Sequence, residues 1–261
     1  MKDKRIIGLG IIAAAIIILL AVLLGISKGK TAEPTETTAA ESTSTATVAA
    51  TKPSIPVSAK IENVPYINQI ELGFPMGCEA VSATMLLKFY GYEVSVQQMI
   101  DAVPTGSGKY EKDGVWYAAD PFEMFAGDPR KRRTEGAYGC FAKPLLTAMN
   151  KFASGRAKDI SGAETEELFR YVSEGKPVVV WGASNGNTIK EGVTWQCVDK
   201  DGKPTGKTFT ELEREHCMVL ICYDEENVIL HDPSKGANIL QTKALFNANR
   251  EKLFMQAIII E

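Results

Sequence analysis

Residues 69–83 read Gln69-Ile-Glu-Leu-Gly-Phe-Pro-Met-Gly-Cys78-Glu-Ala-Val-Ser-Ala83, so a turn rich in glycine and proline runs straight into a helical pattern. Apolar residues recur at positions 81, 85 and 89, which predicts a helix over residues 79–90 that ends at Gly91. Cys78 therefore stands at a helix N-terminus, where the helix dipole and unpaired backbone N–H groups favour the thiolate over the thiol. A thiolate in this place is a candidate nucleophile.

A nucleophilic cysteine needs a base, and the chain contains two histidines, His216 and His231. The pattern predicts a β-hairpin in which residues 216–223 and 228–232 pair across an Asp-Glu-Glu-Asn turn. Since His216 opens the first strand and Asp232 closes the second, antiparallel pairing brings them to one end of the sheet. We expect Asp232 to fix the tautomer of His216, whereas His231 faces the opposite side from Asp232.

Each of these residues also has a structural explanation. A free cysteine is usually a small buried apolar residue, and a lone histidine at a strand end usually bonds to the backbone. The Asp232-Pro233 pair also suits the end of a strand. The functional prediction therefore depends on Cys78, His216 and Asp232 occurring together.

Helical patterns come first along the domain and strands come late, which is typical of an α+β fold. Residues 104–139 hold many glycines and aromatic residues without a clear period, which predicts a long ordered loop layer. We expect the helix that carries Cys78 to pack on a late antiparallel sheet. The other predicted helices are 95–100, 144–152 and 164–173, and the predicted strands are 176–181, 193–198, 216–223, 228–232 and 257–260.

The N-terminal part predicts export and membrane attachment. Residues 6–26 form an apolar run without a charged side chain, long enough to cross a bilayer, and the basic residues among 1–5 place that end in the cytoplasm. Residues 27–58 are rich in Thr, Ser, Ala, Glu and Pro and predict a disordered stalk, which leaves residues 59–261 as one extracellular domain. We expect an uncleaved signal anchor in the cell membrane; a cleaved secretory signal is the alternative.

Composition argues against several partners. The net charge of −3 argues against nucleic acid, and the basic run Arg130-Lys131-Arg132-Arg133 predicts a solvated loop beside acidic residues. Five cysteines are too few for a disulfide scaffold, and their odd number leaves at least one thiol free. Because Cys217 and Cys222 lack Cys-x-x-Cys spacing, we do not expect a metal site. We also expect no cofactor and a monomeric protein.

Two blocks of the sequence resemble the peptidase C39-like proteins, which belong to the papain-like clan. The first block is Val64-Pro-Tyr-Ile-Asn-Gln69 with Gly77-Cys78-Glu-Ala-Val-Ser-Ala83, and the second is Glu215-His216-Cys-Met-Val-Leu-Ile-Cys-Tyr-Asp224 with Val228-Ile-Leu-His-Asp-Pro233. Between them, Gly127-Asp-Pro129, Tyr138-Gly139 and Pro144 are similar to the connecting region of these proteins. The resemblance extends over most of the predicted domain.

The resemblance implies a papain-like fold in which Cys78 is the nucleophile, His216 the general base and acid, and Asp232 the residue that orients His216. Gln69 would help form the oxyanion hole together with the backbone N–H of Cys78. It implies hydrolysis of a peptide or amide bond through an acyl-enzyme, with an unidentified peptide or protein as substrate. A cysteine acyltransferase or transpeptidase on the same scaffold and a non-catalytic surface binding module are the alternatives.

Overall fold

The computed structural model describes residues 54–261. The helices in this range are α1 (Cys78–Phe89), α2 (Val96–Ala102), α3 (Ala142–Ala153), α4 (Thr165–Ser173) and α5 (Lys243–Lys252). The strands are β1 (Ala59–Lys60), β2 (Thr105–Gly106), β3 (Tyr110–Lys112), β4 (Val115–Ala119), β5 (Phe125–Ala126), β6 (Ala157–Asp159), β7 (Val178–Ala183), β8 (Lys190–Val198), β9 (Pro204–Glu213), β10 (Glu215–Tyr223), β11 (Asn227–Asp232), β12 (Gly236–Thr242) and β13 (Ala257–Ile260). Short 3-10 helices cover Arg133–Glu135 and Ser184–Gly186.

The largest sheet among these residues has the strand order β12-β11-β10-β7-β13-β6, and β1 pairs with the end of β10. Each of its pairings is antiparallel. A second sheet has the order β3-β4-β8-β9, and β2 pairs with β5 in a separate parallel ribbon. The fold is therefore mixed α and β, built around one antiparallel sheet.

Helix α1 packs against β10 and β7 at the centre of the large sheet. All its residues from Cys78 to Leu87 are buried, which is the pattern of a helix surrounded by core on every side. β7 consists of six buried residues, including Trp181, whose Nε1 donates a hydrogen bond to the backbone carbonyl of Cys140 at 2.9 Å. This packing places the N-terminus of α1 beside the start of β10.

The helix and hairpin predictions are confirmed. Helix α1 differs from the predicted span by one residue at each end, and Ser95 caps α2 with its side chain, as the sequence pattern indicates. β10 and β11 form the predicted hairpin, and β13 covers the predicted residues 257–260. The α1 helix packs on the late antiparallel sheet, which confirms that part of the expected architecture.

The predicted loop layer at residues 104–139 is wrong in detail, because this segment contains β2 to β5 and a short 3-10 helix. The strands are two to five residues long, so they carry too few residues for a period to show in the sequence. The sequence pattern also does not predict helix α5 or strands β6 and β12, which the structure contains.

Within residues 54–261, every helix is too short or too polar to traverse a bilayer. The predicted span at residues 6–26 and most of the predicted stalk lie outside the described residues. Of the stalk, residues 54–58 are described, and the carbonyl of Pro56 accepts a hydrogen bond from the hydroxyl of Tyr223 at 2.9 Å. Pro56, which the sequence analysis assigns to the stalk, therefore packs against the domain.

Candidate active site

Cys78 is the first residue of α1 and is only 6% exposed. Gly77 caps the helix without a side chain, and a Cβ at this position would come within 2.8 Å of Phe74. A glycine is therefore needed where the turn folds back onto the helix start. The backbone N–H of Cys78 belongs to the first turn, whose amides have no intrahelical acceptor.

The structure brings His216 and Asp232 together, as the hairpin pattern predicts. The Nε2 atom of His216 lies 2.6 Å from Oδ1 of Asp232, and both side chains are buried. Val219 pairs with His231 in the register of β10 and β11, so His216 and Asp232 lie diagonally on one face of the sheet. The hydrogen bond assigns the proton to Nε2 and leaves Nδ1 as the basic nitrogen of the neutral ring.

Asp232 is held in its ionised form. Burial acts to raise the pKa of Asp232, but the hydrogen bond and charge of His216, together with hydrogen bonds from Ser234, outweigh burial and lower that pKa. The hydroxyl of Ser234 also lies 3.3 Å from Nε2 of His216. Ser234 is thus part of the site, although no feature of the sequence pattern singles it out.

The thiol of Cys78 has surroundings that the sequence does not reveal. Its Sγ donates to Oε2 of Glu79 at 3.1 Å, so its hydrogen-bond acceptor is Glu79 and not His216. Burial, followed by the negative charge of Glu79, raises the pKa of Cys78 well above its ordinary value. The expectation that the helix N-terminus favours the thiolate is therefore corrected: burial and the neighbouring carboxylate of Glu79 favour the thiol.

Gln69 is buried close to both parts of the site. Its backbone N–H donates to the carbonyl of Pro233 at 2.8 Å, which ties it to the end of β11 next to Asp232. Its side-chain Nε2 donates to the carbonyl of Pro75 at 3.1 Å, three residues before Cys78. Gln69 therefore contacts both parts of the site, with its backbone at Pro233 and its side-chain amide at Pro75.

Two acidic residues of this site are missing from the sequence-based prediction. Glu79 follows Cys78 and Glu215 precedes His216, and their carboxylate oxygens lie within 4.8 Å of each other and of Cys78 Sγ. A signal for Glu79 does exist in the sequence, because a lone acidic residue opens a helix that is otherwise apolar and small up to Leu87. Sulfur and carboxylate atoms also bind metal ions, but here the thiol hydrogen is donated to Glu79, and we assign no metal site.

His231 has a separate structural role. Its Nε2 lies 3.1 Å from the carbonyl of Val64, and its Nδ1 accepts from the backbone N–H of Asn238. Both ring nitrogens are thus engaged by backbone groups. Of the two histidines, His231 has the structural role of a buried residue bonded to backbone, and His216 is the one that bonds to a carboxylate.

The basic run also has structural partners. Arg130 forms salt bridges with Asp101 and Asp128, and Arg133 pairs with the buried Glu211. These contacts confirm the prediction of a loop beside acidic residues.

Cavity size does not locate this site. A cavity of about 820 Å³ lies between β8, β9 and the end of α5, lined by Phe122, Phe209 and Phe254 among others. None of the candidate catalytic residues lines it. The site is recognised by the chemistry of its side chains instead.

Comparison with known proteins identifies the family that the chain resembles. The model of the Peptidase_C39 like family matches residues 61–253, which include every candidate site residue. Protein YvpB of Bacillus subtilis (strain 168), an uncharacterized protein, is 25% identical over 205 residues, which cover 78% of this chain and 77% of YvpB. A crystal structure named as that of a C39-like peptidase from Bacillus anthracis has a TM-score of 0.68 and 28% identity, covering 78% of this chain and 97% of that one.

Proposed function

Because the chain belongs to the peptidase C39-like family, we propose that it is a membrane-anchored extracellular cysteine peptidase that cleaves a peptide or amide bond through Cys78, His216 and Asp232. The single observation that supports this most directly is the 2.6 Å hydrogen bond between His216 and Asp232. His216 is the histidine whose ring bonds to a carboxylate, whereas the ring of His231 bonds to backbone groups. The substrate class is a peptide or protein.

The first chemical step forms the nucleophile. Asp232 keeps the proton of neutral His216 on Nε2, so Nδ1 accepts the proton of the Cys78 thiol once Sγ turns from Glu79 towards the ring. The sulfur then attacks the substrate carbonyl carbon, and a C–S bond forms while the carbonyl oxygen takes the negative charge. The backbone N–H of Cys78 and the amide of Gln69, exchanged from Pro75, stabilise this oxyanion.

The second step releases the products. The C–N bond breaks as His216 returns its proton to the leaving amine, and the acyl group stays on Cys78 as a thioester. A water molecule then attacks the thioester, giving its proton to His216, and the carboxylic acid leaves. The thiol and the neutral imidazole are regenerated, so no cofactor is consumed.

The membrane anchor is a further part of the proposal. It is supported by the apolar run at residues 6–26 and by the basic residues before it. The described domain begins near Pro56, so residues 27–53 would separate it from the bilayer surface. A domain held in this way acts on extracellular peptides close to the cell.

The test uses the full chain, purified in detergent, with a tryptic digest of casein as the peptide mixture. New peptide termini are counted by mass spectrometry for the parent chain and for Cys78→Ala, His216→Ala and His231→Ala. We expect Cys78→Ala to be inactive and His216→Ala to lose at least about a hundredfold, the usual contribution of a general base. His231→Ala is the matched control, and we expect it to retain cleavage.

Three outcomes would change the proposal. Equal cleavage by His216→Ala and the parent chain would remove His216 from the mechanism. If the parent chain produces no new termini but joins an added amine to a peptide, the acyltransferase alternative replaces hydrolysis. If Cys78→Ala restores every cellular effect of the parent chain, the non-catalytic binding module is the better account.

A further inference from the structure

Two glutamates lie next to the candidate catalytic residues in the sequence: Glu79 is buried, and Glu215 is partly buried. Glu79 is the residue after Cys78 on α1, and Glu215 is the residue before His216 on β10. Glu79 is 1% exposed, and the carboxylate oxygens of the two residues lie within 4.8 Å of each other. Two ionised carboxylates this close in a buried place repel each other strongly, so such a pair normally keeps one proton.

The hydrogen bonds show which of the two glutamates carries charge. Glu79 accepts at both oxygens, from the backbone N–H of Cys140 at 2.7 Å and from the thiol of Cys78 at 3.1 Å. Glu215 has a buried oxygen, Oε1, without a hydrogen-bond partner. Acceptors at both oxygens are typical of an ionised carboxylate, whereas a buried oxygen without a donor is costly for a charged group.

The groups around Glu79 and Glu215 do not supply enough positive charge to neutralise two carboxylates. Arg133 is the cation that acts on Glu215, and its guanidinium is already paired with Glu211. Burial raises the pKa of both glutamates, but at Glu79 hydrogen bonds from Cys140 and Cys78 oppose the rise, whereas at Glu215 the charge of Glu79 adds to burial and the pKa lies well above its ordinary value. The titratable groups that face the pair are Cys78 on α1, Arg133, Tyr138 and Cys140 from the segment before α3, and His216 and Cys217 on β10.

We propose that Glu79 and Glu215 are positioning residues of the active site, which together hold one proton at neutral pH and keep the thiol of Cys78 protonated beside β10 until substrate binds. Glu79 is the ionised member and Glu215 the neutral one. The thiol donates to Glu79 at rest, and its proton passes to His216 only when Sγ turns away. The inference rests on the proposed function, because it assigns a role next to Cys78 and His216.

The measurement is the rate of iodoacetamide labelling of Cys78 in the full chain between pH 5 and pH 10. Peptide mapping separates Cys78 from the other four cysteines. In Glu79→Gln an amide replaces the charge that opposes the thiolate, so we expect the labelling midpoint to fall by about one pH unit or more. Labelling at pH 7 should then be about tenfold faster. Glu93→Gln makes the same charge change at an exposed position and should match the parent chain.

Glu215→Gln tests the assignment of the proton. A glutamine has the shape of a neutral glutamic acid, so we expect labelling of Cys78 at pH 7 to stay within about twofold of the parent chain. A raised folded-state pKa gives stability that is complete below the ordinary pKa of glutamate, about 4.3, and is lost as the pH rises through the folded value. The melting temperature of Glu215→Gln should therefore exceed that of the parent chain by more at pH 9 than at pH 5.

The proposal is overturned if Glu79→Gln and the parent chain have the same labelling profile. It is also overturned if Glu215→Gln changes labelling at pH 7 by tenfold or has the same pH dependence of melting as the parent chain. Labelling needs no substrate, so these results are separate from the test of peptide hydrolysis. A chain that labels as expected but cleaves no peptide keeps this inference about the thiol and loses the proposed peptidase activity.

Discussion

Asp232 concentrates its hydrogen bonds on one oxygen. Oδ1 accepts from Nε2 of His216, from the backbone and hydroxyl of Ser234 and from the backbone of Lys235, whereas Oδ2 is buried without a partner. Three of these donors come from the turn that follows β11. The turn therefore fixes the carboxylate, and the carboxylate fixes the ring of His216.

Asp232→Asn removes the charge at almost constant shape. We expect the rate of peptide hydrolysis to fall about 10²–10⁴-fold, because the ring of His216 loses the partner that holds its tautomer and stabilises its charged form. Because the folded pKa of Asp232 is lowered, its stabilising effect is present above the ordinary pKa and is lost in acid. Ser234→Ala, which removes only a neutral donor from the same oxygen, is the control and should lose far less activity.

A rate for Asp232→Asn within a few-fold of the parent chain would mean that Asp232 only ends the strand. Urea unfolding of both variants at pH 7 shows whether the fold survives. If both variants are folded at pH 7, the difference between their hydrolysis rates does not arise from a loss of stability.

The last strand is a central part of the large sheet. β13 lies between β7 and β6, and its four residues are fully buried. The strand comes from the end of the chain, but it joins the sheet beside β7, which in turn supports β10 and His216. The position of the candidate base thus depends on packing contributed by the C-terminus.

Ile259→Ala is expected to lower the free energy of unfolding by about 2–5 kcal/mol, because it leaves a cavity in a fully buried place. Leu240→Ala is the control, since Leu240 lies on β12 and is 60% exposed. We expect its cost to stay within about 0.5 kcal/mol, as for most surface substitutions. Chemical denaturation of the two variants gives the comparison, and equal losses would mean that β13 does not contribute to the core.

The described residues share one continuous core, to which α1, the large sheet and strands β4, β8 and β9 of the smaller sheet contribute. The candidate site lies where α1 meets β10, so it is internal to this core. Each candidate residue is contributed by these described residues. We therefore expect residues 54–261 to fold and to build the site by themselves.

A fragment of residues 54–261 is expected to unfold in a single cooperative transition and to label at Cys78 at the same rate as the full chain. The full chain should sediment with membranes, because residues 6–26 are long and apolar, whereas the fragment should remain in the supernatant. Circular dichroism and ultracentrifugation give the two measurements. A shortened chain found in the culture medium, starting near Thr31, would show that the segment is cleaved.

The sequence alone determined the elements that have a strong local pattern. The period of α1, the cap at Ser95 and the alternation of β10 and β11 are visible in elements of six to twelve residues, and hairpin pairing is local. Because hairpin pairing is local, the strand pattern alone predicts that His216 lies beside Asp232. The strands between residues 104 and 139 could not be found, because strands this short depend on distant partners.

Only the tertiary structure decided the surroundings of Cys78. Glu79 and Glu215 are 136 positions apart, and they meet because α1 packs on β10. The local pattern at Cys78 favours a thiolate, but burial and the carboxylate of Glu79 reverse this preference. Local sequence determines which backbone a residue adopts, whereas the charge state of a buried group depends on every group that the fold brings within a few ångströms of it.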